Sequence, residues 1–225
     1  LQQSLNNDEV LGVSFQYTLN GKIFQVGEFS DDGIVSVDDL NNKVVRKGLI
    51  VKLLKSSINN VRQPVWKLTM KNIYNLGSFQ ISETDFRLNI FYNNPSSLNY
   101  ISPIENNTWP QDLEKIRLLN LFELDKLDSN GNLQKGGDGF FDAIDGITII
   151  KNKGLLVFPK EEPFGKFLFE KLRNNQNEDY NDTTTYNQNQ LKYVYNEMYT
   201  FGKTSAEKFI EKNNFNIRGK YKSTS

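Results

Sequence analysis

Near its start the chain alternates apolar and polar residues. Leu11, Val13, Phe15, Tyr17 and Leu19 are separated by Gly12, Ser14, Gln16 and Thr18, the period-two pattern of a half-buried strand. Asn20-Gly21 follows, the pair best suited to a two-residue type I′ turn, and residues 22–29 then return as the second strand of a hairpin. That turn places Phe24 opposite Tyr17 and Val26 opposite Phe15. Asp31-Asp32-Gly33 and Asn41-Asn42 punctuate the next stretch as turns. The apolar run over 48–55 predicts another strand. From Pro64 onward, Trp66, Met70 and Ile73 fall at helical spacing and Gly77 supplies a stop, which predicts a short helix. Alternation resumes at Phe86, Leu88, Ile90 and Tyr92, a strand preceded by a shorter one over 78–82.

Residues 93–107 form a polar, proline-containing loop. Thr108 can cap a helix with Pro110 in its first turn, Asp112 and Glu114 suit its positive end, and Leu113, Ile116, Leu119 or Asn120, and Leu124 form its apolar stripe. Two short strands, 146–150 and 154–158, are joined by Lys151-Asn152-Lys153 as a second hairpin. Pro163 and Phe164 open a further helix that buries Phe167, Leu168 and Leu172. Residues 174–190 are nearly all Asn, Gln, Asp and Thr, a composition that predicts a mobile loop because little apolar area offsets the entropy of ordering. One helix then carries Leu191, Val194, Tyr195 and Met198, a second carries Ala206, Phe209 and Ile210, and Phe215, Ile217, Gly219 and Tyr221 alternate as a closing strand. The predicted fold class is α+β, with antiparallel β-hairpins and short strands packed with several short helices. Its expected organisation is a main domain over 1–173, a flexible Asn-rich loop over 174–190, and a helical segment with closing strand over 191–225. No self-similar repeat is present.

Composition narrows the chemistry. The 27 Lys and Arg balance the 27 Asp and Glu, so the basic field that nucleic acids require is missing and no nucleic-acid partner is expected. Hydrophobic residues make up only 37% of the chain, but 16 Phe and 10 Tyr supply large apolar surfaces for a core. No apolar run is long enough for a membrane-spanning helix, and too few strands of barrel length appear for direct membrane insertion of this segment. Cys and His are both absent, which removes thiol nucleophiles, disulfides, zinc sites of the usual kind and imidazole bases together. The chain opens at Leu1 without a Met or signal segment and stops at Ser225 behind a predicted strand. Both ends have the look of interior positions in a longer protein.

Few constellations suggest a site. Asp128, Asn130 and Asn132 have the alternate-oxygen spacing of calcium loops, with Asp138 and Asp142 further on. An EF-hand needs Gly at its sixth position and Glu at its twelfth, where this chain has Leu133 and Gly139. A solvated Gly/Asp turn is the simpler reading, with a looser calcium site built from Asp128, Asp138 and Asp142 as the alternative. No resident metal or cofactor is expected. Glu161-Glu162 could pass for a glycosidase pair, but adjacent residues rarely face one cleft, and both suit the first turn of the helix at Pro163. Gly136-Gly137-Asp138-Gly139 lacks the Lys-Ser/Thr of a P-loop. Trp66 and Trp109 could stack on sugars, although aromatics beside helix starts more often anchor cores. No enzyme signature emerges, and the expectation is a chain without an active site.

Strings spread over nearly the whole chain carry a resemblance. They include Asn7-Asp8-Glu9-Val10-Leu11-Gly12-Val13-Ser14-Phe15-Gln16-Tyr17-Thr18, Trp66-Lys67-Leu68-Thr69-Met70-Lys71-Asn72-Ile73-Tyr74 and Asp85-Phe86-Arg87-Leu88-Asn89-Ile90. Further ones are Asp138-Gly139-Phe140-Phe141-Asp142, Glu162-Pro163-Phe164-Gly165 and Arg218-Gly219-Lys220-Tyr221-Lys222. In order and spacing these resemble a segment of the SprA/Sov family, the giant outer-membrane proteins of Bacteroidetes gliding motility and type IX secretion. Residues 174–190 are the main gap, and Phe122-Glu123-Leu124 departs from the family pattern. The resemblance implies a soluble, structural segment of a barrel translocon, located at the outer membrane or cell surface. Its implied partners are the rest of the parent barrel protein, secretion cargo and accessory outer-membrane subunits. It implies no catalytic residues. The alternative is a carbohydrate-binding or adhesive surface module, which Trp66, Trp109 and the Asp138/Asp142 turn would serve.

Overall fold

A computed structural model describes residues 5–6, 8–30, 34–38, 43–58, 60–82, 86–104 and 115–220. The turns expected at 31–33 and 41–42, the helix start at Thr108, Trp109 and Tyr221 lie outside these residues. The chain divides into two units, Leu1–Thr69 and Met70–Ser225, at a point where the sequence reading placed no boundary. The fold is α+β, built from short antiparallel strands and short helices.

The first unit holds β1 (Leu11–Val13), β2 (Phe15–Leu19), β3 (Lys22–Val26), β4 (Ile34–Asp38), β5 (Lys43–Gly48) and β6 (Lys52–Lys55). Asn20 and Gly21 have φ of 52° and 75°, the left-handed pair a type I′ turn requires. The register is the expected one, Phe15↔Val26 and Tyr17↔Phe24, and Tyr17 and Phe24 stack at 5.2 Å between ring centroids. β1 turns away from this hairpin and pairs with β6, and β4 pairs with β5. The alternating strand is not half-buried, however: Phe15, Tyr17 and Phe24 are all exposed. Outside β4 and β5, none of the described residues of this unit is buried. The predicted helix after Pro64 is one 3₁₀ turn, Pro64–Leu68, and Ile73 belongs to a strand instead. Met70 at the end of the presumed stripe is exposed, so no continuous apolar face exists to extend that helix.

The second unit contains β7 (Ile73–Asn75), β8 (Arg87–Asn93), β9 (Ser97–Leu98), β10 (Tyr100–Ile101), β11 (Ile116–Arg117), β12 (Ile149–Ile150), β13 (Leu155–Val157) and β14 (Phe215–Lys220). They form two three-stranded sheets, ordered β12-β13-β7 and β14-β8-β9, and the pair β10-β11. β8 alternates as predicted, with Leu88, Ile90 and Tyr92 buried. The hairpin of β12 and β13 is also as predicted, its tip a 3₁₀ turn over Lys151–Lys153. Gly154 closes that tip at φ 62°, and a Cβ there would lie 1.5 Å from the Ser78 carbonyl oxygen, so only glycine fits. Residues 78–82, expected as a strand, are an irregular crossing past this tip.

The helices are α1 (Leu118–Leu121), α2 (Leu168–Lys171), α3 (Gln188–Tyr193), α4 (Glu197–Thr200) and α5 (Lys203–Ala206). All are under two turns long, so packing and not intrinsic propensity must hold them. Leu118, Leu124, Leu156, Leu168 and Leu172 are fully buried, each contributing about 1.5–3 kcal/mol of burial free energy. An aromatic cluster joins the elements. Phe122 after α1 meets Phe158 after β13 at 5.6 Å, Phe164 before α2 at 5.1 Å and Phe215 of β14 at 5.8 Å.

Residues 174–190, expected as a mobile loop, place several of their polar side chains in the interior. Glu178, Tyr186, Asn189 and Gln190 are buried. The Glu178 carboxylate accepts from the Asn174 amide at 3.0 Å, Asn175 Nδ2 at 3.1 Å, Asn187 Nδ2 at 3.1 Å and Gln190 Nε2 at 2.9 Å. Asn187 and Gln190 cap α3 reciprocally, the capping-box arrangement. Tyr180 and Tyr186 pack on Phe169. Polar composition alone implies disorder only while the polar groups lack mutual partners, and here they have them.

Candidate functional site

The acidic turn between α1 and β12 gathers part of what the sequence singled out. Asp128 accepts from the backbone amides of Asn130 and Asn132, both at 2.9 Å, and from Asn132 Nδ2 and Gln134 Nε2. These bonds, the Asn132 amide foremost, hold its carboxyl below the ordinary range. Asp128 is therefore the hub of its own turn. Asp138 accepts from the Phe140 amide at 2.8 Å, and Asp142 from the Leu127 amide at 2.8 Å. Asp138 and Asp142 line an open hollow of about 350 Å³ together with Asp125, Lys126 and Lys135, and Asp128 is not part of that lining.

Asp125 is the member that spacing passes over. It is 4% exposed, and Asn120 Nδ2 donates to it at 3.3 Å. Burial pushes its carboxyl upward, and the nearby Asp142 adds to the rise. Burial likewise raises Asp142, with Asp138 adding to it. A Cβ on Gly137 would sit 2.4 Å from the Asp125 carboxyl, so the glycine-rich run exists to let the backbone close over this acid. That glycine run was the available signal. Among the described residues no group of three or more acidic side chains is placed to hold a metal ion.

The Glu161-Glu162 pair splits. Glu161 is exposed, while Glu162 is half-buried, accepting from the Tyr180 hydroxyl at 3.1 Å and lying 3.8 Å from Lys71 Nζ. Glu162 precedes a π turn over Pro163–Phe167 and is not a first-turn acid. Gly136 and Gly139 take φ of 83°, which makes the glycine run a turn. Trp66 is half-buried on its 3₁₀ turn.

A separate cleft of about 280 Å³ lies in the second unit, walled by Tyr74, Phe86, Phe164, Phe215 and Ile217. The Tyr199 hydroxyl accepts from the amide of Phe164, one of the wall residues, at 3.1 Å. Burial pushes the Tyr74 hydroxyl up to about 12 and Tyr199 well above the ordinary tyrosine value. These rings stay neutral and serve as packing.

Fold and sites together define an α+β protein of two units, one with an aromatic core and one with exposed apolar side chains on its first hairpin. No family model matches the chain, and no curated protein matches it. No helix among the described residues is long and apolar enough to cross a membrane.

Proposed function

We propose that this chain is a non-catalytic domain of a very large outer-membrane translocon protein of the SprA/Sov kind. It acts in type IX protein secretion and gliding motility by shaping or covering the channel, or by docking cargo or accessory subunits at the outer membrane or cell surface. The ordered strings that resemble that family motivate the reading. The single observation that carries it is the first unit, whose strands are joined only in pairs. Phe15, Leu19, Ile23, Phe24, Ile50 and Leu54 are exposed on it. Two-stranded ribbons of this kind are marginal in water, and outward apolar ladders with open edges mark surfaces that other chain segments cover. The rest of a parent protein is the partner such a unit requires.

The test is a clean internal deletion of this segment from the full-length parent, replaced by a Gly/Ser linker. Surface delivery of a secreted reporter is measured alongside the abundance of the parent in the outer membrane. Lost delivery at normal parent abundance is expected. Normal delivery would remove the domain from the export path and favour the adhesive-module alternative.

A further inference from the structure

We propose that an extended segment of a partner protein, with acidic and apolar residues in alternation, docks as an added strand along the free edge of β14. The inference rests on the second unit alone and stands apart from any role in secretion.

Among the described residues β14 is an edge strand of the sheet β14-β8-β9. The Asn93 amide donates to the Asn214 carbonyl at 2.9 Å, which sets the phase of the antiparallel ladder. Asn216, Arg218 and Lys220, opposite Phe91, Asn89 and Arg87, are therefore the residues bonded to β8. Ile217 and Gly219 turn their backbone N–H and C=O groups outward, toward the open edge. Those groups form a template for one more strand.

The two faces flanking that edge differ in chemistry. On the outer face Arg218 and Lys220 are exposed, and Lys220 lies directly opposite the equally exposed Arg87. Like charges directly opposite each other across a ladder repel. The Arg218 guanidinium lies 4.9 Å from the Phe91 ring centroid and its Nε reaches Asn216 Oδ1 at 3.4 Å. Among the described residues no ion pair involves Arg87, Arg218 or Lys220. On the inner face Ile217 and Gly219 border the aromatic cleft with Tyr74 and Phe86. Gly219 presents no side chain there, which leaves the cleft rim open to an incoming residue.

An added strand presents successive side chains to opposite faces, with same-face neighbours about 7 Å apart. Acidic residues at every second position would then meet Arg218 and Lys220, with Arg87 one strand further in adding to the positive field, while the intervening apolar residues would enter the cleft. Backbone pairing supplies affinity and the two faces supply specificity.

The test uses the full chain and a fluorescently labelled octapeptide of alternating Glu and Val, with binding read by anisotropy. A control peptide of the same composition has its Glu and Val residues in two blocks. The alternating peptide is expected to bind at least about tenfold more tightly than the blocked one, because only strand addition reads the alternation. Arg218→Glu combined with Lys220→Glu should weaken it by a similar factor. Gly219→Pro removes an outward amide without touching the ladder to β8, and should abolish binding while leaving the thermal midpoint unchanged. Equal binding of both peptides, or full affinity in Gly219→Pro, would overturn the proposal in favour of a simple polyanion surface. Failure of the alternating peptide to bind, with anionic phospholipid vesicles binding instead, would overturn it in favour of a lipid surface.

Discussion

Asp125 shows what a single buried carboxyl costs. Burial raises its folded value above the ordinary carboxylate value of about 4, so the folded chain holds this proton to higher pH than the unfolded chain. The associated stability is present below about pH 4 and is lost as pH rises through the raised folded value. Asp125→Asn keeps the shape that Gly137 closes over and removes the buried charge. Thermal melts should show the variant more stable than the parent at pH 7, with the gap narrowing as pH falls toward about 4. A constant gap, or a less stable variant at pH 7, would mean that the carboxylate's acceptor bonds outweigh its desolvation. Neighbouring Asp128 and Asp142 were legible from spacing because their turn chemistry is local. Asp125 was not, because its burial depends on Gly137 crossing over it from a later part of the turn.

At the scale of elements, strands with strict alternation were legible, and so were turns with their own chemistry. β8 and the β2–β3 hairpin needed only local rules, and the register at Tyr17 and Phe24 followed from Asn20-Gly21. Helices were misread where spacing over a few residues stood in for an apolar face, as at Trp66, Met70 and Ile73. In the segment 174–190 composition concealed the partners, since its polar groups satisfy one another in the interior. Glu178→Ala leaves Gln190 Nε2, Asn187 Nδ2 and the Asn174 amide without their shared acceptor. It should destabilise the second unit by about 3 kcal/mol in urea denaturation and open 174–190 to limited proteolysis. A loss within about 0.5 kcal/mol, the range of neutral surface changes, would show that the knot is decorative.

For the whole molecule, every core side chain identified as buried falls in Met70–Ser225. A fragment of residues 70–225 should therefore unfold cooperatively on its own, while residues 1–69 alone should show no cooperative transition by circular dichroism in urea. Cooperative unfolding of 1–69 would contradict the picture of a unit awaiting cover. Alternation alone did not mark this division, since both halves alternate; the denser aromatic content of residues 70–225, 23 of the chain's Phe, Tyr and Trp against 5 in residues 1–69, was the signal available for it. Burial depends on which strands find a second layer, and no local pattern records that. The α+β class was legible because it needs only the mixture of elements.

The pairing of β14 with β8 joins distant parts of the chain, and Phe215 from β14 seals Phe122 and Phe164 in the core. During synthesis an N-terminal-first chain would hold its aromatic cluster unsealed until β14 emerged. The hairpin of β2 and β3 closes over only two turn residues and has no such wait. Long-range closure of this kind is slow compared with local pairing. The second unit is thus timed to stay pliable through most of its emergence and to set only once its final strand has arrived.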